Sequence, residues 1–344
     1  MSTRIIATIG PKSESPENLL ALFKAGVDMV RINFSHASYE QYKRIQKFIN
    51  AYNAESEQHH VCLMLDLQGP RIRVGQMPED GILMVENEIY RFAYQKKAYE
   101  KKGDIIPIDS IDLYKDIKKK EALFLCNGAI ELIVLEVKNK VITAQVVNGG
   151  VLSTRKGINV PNTHIRKGGM TAKDIKDVKF GIKAGMDYIA LSFVQTGDDV
   201  LRLRRMLGKK SKVKIISKIE RGIALKNIDR IISASDAIMV ARGDLGIEVP
   251  IEDLPIVQKN LVRHAHWHNR PAIIATQIMT SMIKNPHPTR AEISDIANAV
   301  FDGADMVMLS DETTVGDYPI EAVRLLRKVI SRTEKHIYKD NIIN

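Results

Sequence analysis

Eight short apolar runs, each ending abruptly in polar or charged residues, constrain the fold of this chain more than anything else in it. They are Ile5 to Gly10, Met29 to Ser35, Val61 to Leu67, Tyr188 to Val194, Val213 to Glu220, Ala237 to Asp244, Ala272 to Gln277 and Met306 to Glu312. Continuous β-branched apolar runs of this length suit strands covered on both faces, as in a parallel sheet. Between most neighbours lies about one helix of chain with apolar residues at helical spacing, the mark of repeated βα units. Leu19, Leu20, Leu22 and Phe23 give Asn18 to Ala25 that character in the first gap. In the last gap Ile293, Ile296, Ala297 and Val300 form one stripe along Thr289 to Phe301, with Thr289 and Glu292 as a capping box. Eight such units predict an α/β fold, a (β/α)8 barrel.

One gap breaks the rhythm. Between Leu67 and Tyr188 most of the chain reads as β: Gly81 to Phe92, Ala122 to Val137 and Lys140 to Val147, with turns at Lys138-Asn139 and Asn148-Gly149-Gly150. Gly157 to Pro161 leads back to the barrel, and a helix follows from about Thr171. The expected organisation is therefore a catalytic barrel over residues 1–73 and 158–344. A small β-barrel lid domain, residues 74–157, is inserted after the third strand. An insertion there can close over a barrel mouth, where βα loops carry the active site. The final helix is expected from Tyr318 to about Tyr338, with Pro319 suited to its first turn.

The chain has 344 residues, 44% hydrophobic and 27% charged, the composition of an ordinary enzyme able to bury a large core. No apolar run approaches a membrane span, and Met1-Ser2-Thr3-Arg4 leads directly into a strand with no signal peptide, so a cytoplasmic protein is expected. Cys62 and Cys126 lie far apart and form no C-x-x-C pair, which fits free thiols. A net charge of +10 admits nucleic-acid binding, but the lysines are scattered and aromatics are only 6% of residues. Attraction of phosphorylated, anionic substrates explains the charge as well, and is the preferred reading.

If the runs form a barrel, their polar ends share one mouth: Thr8; Arg31, Asn33 and Ser35; Asp66 and Arg73; Ser192; Lys218 and Glu220; Asp244; Thr276; and Ser310 with Glu312. Lys218 and Glu220, two residues apart on a strand, share a face, and Asp244 is expected to end the neighbouring strand. A lysine between two carboxylates suits a divalent metal and a moving phosphoryl group. A buried ion pair inside the barrel is the plainer alternative. His264 and His268, one turn apart on a helix, have no third ligand in register and suit a solvated face. No G-x-x-x-x-G-K-[ST] or convincing G-x-G-x-x-G is present.

Several of these segments together resemble the pyruvate kinase family. They are Arg31-Ile-Asn-Phe-Ser-His36, Asp66-Leu-Gln-Gly-Pro-Arg-Ile-Arg73, Lys156-Gly-Ile-Asn159, Ser217-Lys-Ile-Glu220, Met239-Val-Ala-Arg-Gly-Asp-Leu-Gly246, Ala275-Thr-Gln277, Pro288-Thr-Arg-Ala-Glu292 and Met308-Leu-Ser310. The resemblance runs in order through both barrel and insertion. It implies phosphoryl transfer from phosphoenolpyruvate to ADP, giving pyruvate and ATP at the end of glycolysis, with Mg²⁺ required. A Mg-dependent aldolase or lyase on a related pyruvate-binding barrel is the alternative.

By the same resemblance, Glu220 and Asp244 ligate Mg²⁺. Lys218, Thr276 and Arg73 form the catalytic set, while Arg31, Lys218, Gly243, Asp244 and Thr276 bind phosphoenolpyruvate. Asn33, Phe34, Ser35, His36, Arg73 and Lys156 approach the nucleotide, and Ser310 could join a proton relay. No nucleic acid or membrane is implied as a partner, and a homo-oligomer, dimer or tetramer, is expected.

The chain departs from the family pattern in four places. It stops soon after the last barrel helix, where the family commonly continues into an effector-binding C-terminal domain, so that domain is expected to be absent. Asn33, Ser35, Asp66 and the Leu67 carbonyl could hold K⁺, but Leu67 replaces Thr, Gln68 replaces Lys and Arg71 replaces Glu. At about 4 Å and an effective dielectric near 20, two unit charges repel by roughly 4 kcal/mol, so Arg71 is expected to make K⁺ dispensable. Cys126-Asn127-Gly128 stands where Asp-Asp-Gly is usual, and Asp311 replaces Gly after Ser310.

Overall fold

The computed structural model describes residues 2–161, 163–166 and 169–343, with side chains of the last helix described to residue 337. Met1, named above, lies outside them. Eight parallel strands close a barrel in the order Arg4–Thr8, Met306–Leu309, Ala272–Ala275, Ala237–Ala241, Lys214–Ile219, Tyr188–Leu191, Cys62–Asp66, Met29–Asn33. Alternation along each strand divides the apolar side chains into two sets. Ile5, Ala7, Val30, Ile32, Leu63 and Leu65 face outward into the core beneath the helices. Ile6, Met29, Met64, Ala190, Ile216, Met239, Ile273, Met306 and Met308 fill the lumen.

Helices start and stop where local chemistry dictates. Ser15 caps Pro16–Ala25, which ends at Gly26 in the left-handed region. Thr171 with Asp174, and Thr289 with Glu292, form reciprocal capping boxes on Ala172–Ala184 and Arg290–Phe301. The last helix spans Pro319–Ile343. Its Arg327 donates to the carbonyls of Thr3 and Gly26 and to Asp28, fastening it across the start of the barrel.

The strands are shorter than the apolar runs suggest. The run expected to continue to Asp244 leaves the ladder at Ala241 and turns into the helix Arg242–Glu248. Tyr188–Leu191, Ala272–Ala275 and Met306–Leu309 likewise stop before their polar ends. The chain bends out sharply there: Phe193, Thr276 and Gln277 take φ of 55°, 69° and 53°.

The segment after the third barrel strand forms a seven-stranded, mostly antiparallel sheet. Its order is Ile72–Arg73, Gly157–Asn159, Ala122–Leu125, Ile130–Lys138, Val141–Asn148, Ile89–Tyr94, Ile106–Ile108. An antiparallel bridge between Val74 and Ile108 ties its two edges, and its own core includes Phe92, Leu123, Leu132, Val134 and Ile142. The run read as Gly81 to Phe92 is two strands in different sheets. Ile82–Met84 pairs with Gly150–Leu152, and Asn87 at φ 67° turns the chain before Ile89–Tyr94. The expected hairpin after Lys138 turns through Asn139 and Lys140, both at positive φ, which matches the twist of the flanking strands.

Candidate active site

The alternation that fills the lumen with Ile6, Met29, Met64, Ala190 and Ile216 also fixes its uppermost layer. Two residues further along the same strands stand Thr8, Arg31, Asp66, Ser192 and Lys218, which must therefore point inward at the mouth. They form one network. Arg31 Nε donates to Asp66 Oδ2 at 2.6 Å, and Arg31 Nη1 to Thr8 Oγ1 at 3.0 Å. Lys218 Nζ lies 3.3 Å from Asp66 Oδ1 and 3.0 Å from Glu220 Oε1, and donates to Ser192 Oγ at 2.8 Å. Ser192 donates to the Leu67 carbonyl at 2.7 Å, and Glu220 Oε2 accepts the Phe193 N–H at 2.6 Å.

These charges are buried, so their protonation depends on one another. Burial alone would raise the pKa of Asp66. The Lys218 and Arg31 charges outweigh it and hold the carboxyl below the ordinary range. Burial would likewise strip Lys218 of its proton, but Asp66 and Glu220 keep its pKa above the usual lysine value. Glu220 goes the other way: burial, against the pull of Lys218 and with the repulsion of Asp244, raises its pKa. A buried carboxylate that feels the charge of a second, partly exposed one is suited to sharing a hard cation with it. The donors present thus fit a divalent metal.

Asp244 reaches this site from the third position of the helix Arg242–Glu248, not from a strand end. The first residue of that helix, Arg242, lies within a segment that carries the resemblance but has no role assigned from the sequence. Its guanidinium donates to the Thr276 carbonyl at 2.9 Å, the Gln277 carbonyl at 3.0 Å and Asp295 at 2.8 Å. Left-handed backbone at a β-branched residue is rare and strained. This clamp holds Thr276 in that conformation, with its hydroxyl accepting the Gly243 N–H at 2.8 Å. Ser310 lies at the end of the adjacent strand. The buried Glu312 takes a structural part, accepting the N–H groups of Ser310 and Met279.

Ser35, His36 and Arg73 line a cleft of about 690 Å³ between the barrel and the inserted sheet, together with Gln95, Lys96 and Arg155. The last three carried no sequence signal. Phe34 falls on the outward parity, and its ring is buried against Tyr42 and Phe180, so only its main chain faces the mouth region. Asn33 is used locally, its Oδ1 accepting the Ser35 N–H at 3.0 Å. Lys156 is exposed, and its carbonyl pairs with Val74. Of the residues proposed for K⁺, Asp66 and the Leu67 carbonyl belong to the buried network, while Asn33 and Ser35 share a turn.

Arg71 makes its polar contacts with neither pair: its Nη2 lies 3.3 Å from Asp244 Oδ1 and 3.3 Å from Asn127 Oδ1. Elsewhere, His264 Nδ1 and His268 Nε2 both meet Asp229 Oδ1, at 3.0 and 3.2 Å. Among the described residues no group of three or more His, Cys, Asp or Glu is arranged to hold a metal. No helix among them is long and apolar enough to cross a membrane.

A family profile described as "Pyruvate kinase, barrel domain" matches residues 1–323. A protein from Agrobacterium vitis named pyruvate kinase is 40% identical over 334 residues, which cover 97% of this chain and 68% of that protein. One from Thermotoga maritima, of the same name, is 40% identical over 338 residues, 98% of this chain and 72% of its own length. A third, from Buchnera aphidicola, is 42% identical over 337 residues, covering 97% and 70%.

The network yields a stability prediction. Replacing Asp66 by Asn leaves Arg31 and Lys218 sharing one counter-charge too few in a buried site, and should cost about 3–5 kcal/mol. Because the Asp66 pKa is lowered in the folded chain, its stabilisation is complete above about pH 4 and fades as pH falls through the lowered value. Urea unfolding of both proteins from pH 7 downward measures this. An unchanged midpoint for Asp66→Asn at pH 7 would remove the network from the stability of the fold.

Proposed function

The chain belongs to the pyruvate kinase family, and from that premise we propose which of its residues move the phosphoryl group of phosphoenolpyruvate to ADP. The observation that carries the assignment is the convergence of Lys218, Glu220 and Asp244 at the barrel mouth. The relatives described above lend the aldolase or lyase alternative no support.

Glu220 and Asp244 would hold Mg²⁺, and their hard oxygens leave positions for water and substrate oxygens. Bound there, the ion supplies positive charge to the substrate carboxylate and phosphoryl oxygens. Lys218 is the fixed cation for the phosphoryl group in flight. Phosphoryl transfer asks little covalent chemistry of a protein, so positioning and charge stabilisation dominate. Keeping the ammonium protonated in a buried site is the work of Asp66 and Glu220. Arg31, in the buried network, and Arg73, in the cleft, clamp phosphates. The Gly243 and Asp244 amides receive the substrate carboxylate, with Gly243 exchanging the Thr276 hydroxyl for it. Thr276, held in place by Arg242, then stands beside the enolate carbon that must be protonated, and Ser310 adds a relay.

Ser35, His36 and Arg73 provide the side-chain contacts to ADP, with Asn33 and Phe34 acting through the turn they form and Lys156 reaching in from the rim. The reading places the enzyme in the cytoplasm. It also makes it a homo-oligomer, dimer or tetramer, for which exposed Ile256 and Trp267 on Leu254–Trp267 offer apolar surface.

K⁺ is proposed to be dispensable. Asp66, the one carboxylate among the possible K⁺ ligands, is already neutralised by Arg31 and Lys218, and Arg71 adds a further fixed cation near the mouth.

Three measurements test these assignments. Lys218→Met should lower kcat by at least on the order of 10²–10³ in an ADP-dependent pyruvate assay, the scale of losing one transition-state stabiliser. A loss below about tenfold would mean the wrong cation has been named. In tetramethylammonium buffer free of Na⁺ and K⁺ the enzyme should keep its rate, whereas near-zero activity restored by KCl would contradict the K⁺ proposal. Light scattering in solution should give a dimer or tetramer, and a monomer at assay concentration would rule out the self-association.

A further inference from the structure

We propose that Arg71 is a positioning residue that pins the tip of the inserted domain onto the helix bearing Asp244 and, by its charge, weakens divalent-metal binding there. This deepens the functional reading above, resting on Asp244 as a metal ligand. A single guanidinium nitrogen, Nη2, lies 3.3 Å from both Asp244 Oδ1 and Asn127 Oδ1, joining segments 56 residues apart in one direction and far further in the other. The path of the side chain is defined by Gly157 beneath it: a Cβ there would stand 2.9 Å from Arg71 Nε.

The tip it holds is an unusual piece of backbone. Cys126, Asn127 and Gly128 are successive residues at φ 52°, 57° and 87°. Side chains at the first two positions disfavour that geometry, so it lasts only where surrounding contacts over-determine it. Several contacts share that task. Cys126 Sγ reaches the Val151 carbonyl at 3.6 Å, Gly128 rests near Ile247 of the Asp244 helix, and Arg71 holds Asn127. Arg71 is the only one of these that is also charged.

The same charge acts on the other partner. With one Asp244 oxygen paired to a guanidinium, less negative potential remains for a cation at the other. Arg71 and Asp244 are both partly exposed, at 26% and 23% of their side-chain surface, so solvent weakens this effect without removing it. Lid anchoring and metal affinity are therefore set in opposition by one residue.

Two readouts independent of turnover test this, using the full chain. Mn²⁺ binding followed by electron paramagnetic resonance should be about five- to tenfold tighter in Arg71→Met, the scale of a partly screened charge pair. Arg71→Lys, which keeps the charge, should stay within about twofold of the unaltered protein by the same reasoning. Amide exchange at the tip should quicken in both Arg71→Met and Asn127→Ala, read at Ala129, whose N–H donates to the Cys126 carbonyl. Asn127→Ala should leave Mn²⁺ affinity unchanged.

Equal or weaker Mn²⁺ binding in Arg71→Met, or unaltered exchange at Ala129, overturns the proposal. Glu220→Gln separates this from the underlying reading. If it binds Mn²⁺ as tightly as the unaltered chain, the metal assignment fails and the role of Arg71 falls with it. If it loses Mn²⁺ while Arg71→Met changes nothing, only the role of Arg71 is wrong.

Discussion

A buried carboxylate with two cations on it, Asp66 between Arg31 and Lys218, is the interaction on which the top of the barrel depends. Three strands contribute one residue each, and none of the three charges could stay dry without the others. Buried pairings of this kind often add no net stability over a well-packed apolar layer of the same volume. What it provides is a lysine that keeps its proton where burial would remove it, with its ammonium fixed by Asp66, Glu220 and Ser192. A rigid cation of that kind requires little reorganisation when charge develops nearby, the condition under which electrostatic catalysis is effective.

The period of two residues along a strand explains why so much of this was readable in the sequence. Once Ile6, Met29, Met64 and Ile216 are assigned to the lumen, Thr8, Arg31, Asp66 and Lys218 follow without further information, and Phe34 is directed to the opposite face. Reading failed where the chain leaves the ladder. Nothing local to Ala237–Asp244 marks Ala241 as the last strand residue. The helix that follows is fixed by Arg242 reaching Thr276, Gln277 and Asp295, partners distant in sequence. The insertion was legible as β but not in detail, since Ile82–Met84 and Ile106–Ile108 are too short to show a pattern and find their partners only in three dimensions.

Arg71 illustrates a further limit. Its place in the chain beside Asp66 suggests a role among the Asn33, Ser35 and Asp66 group. A long, flexible cation instead selects the carboxylate and the amide that best match its geometry, and these are Asp244 and Asn127. The two positions at which the resemblance implies acidic residues, 71 and the lid tip, carry here an arginine and an amide that meet each other, while the second contact of Arg71 is made on the barrel.

The clamp formed by Arg242 reaches beyond the mouth. Its guanidinium joins the strained Thr276–Gln277 turn to Asp295, on a helix of the outer wall. The turn that carries the Thr276 hydroxyl and the outer helix Arg290–Phe301 are thus braced by the same side chain.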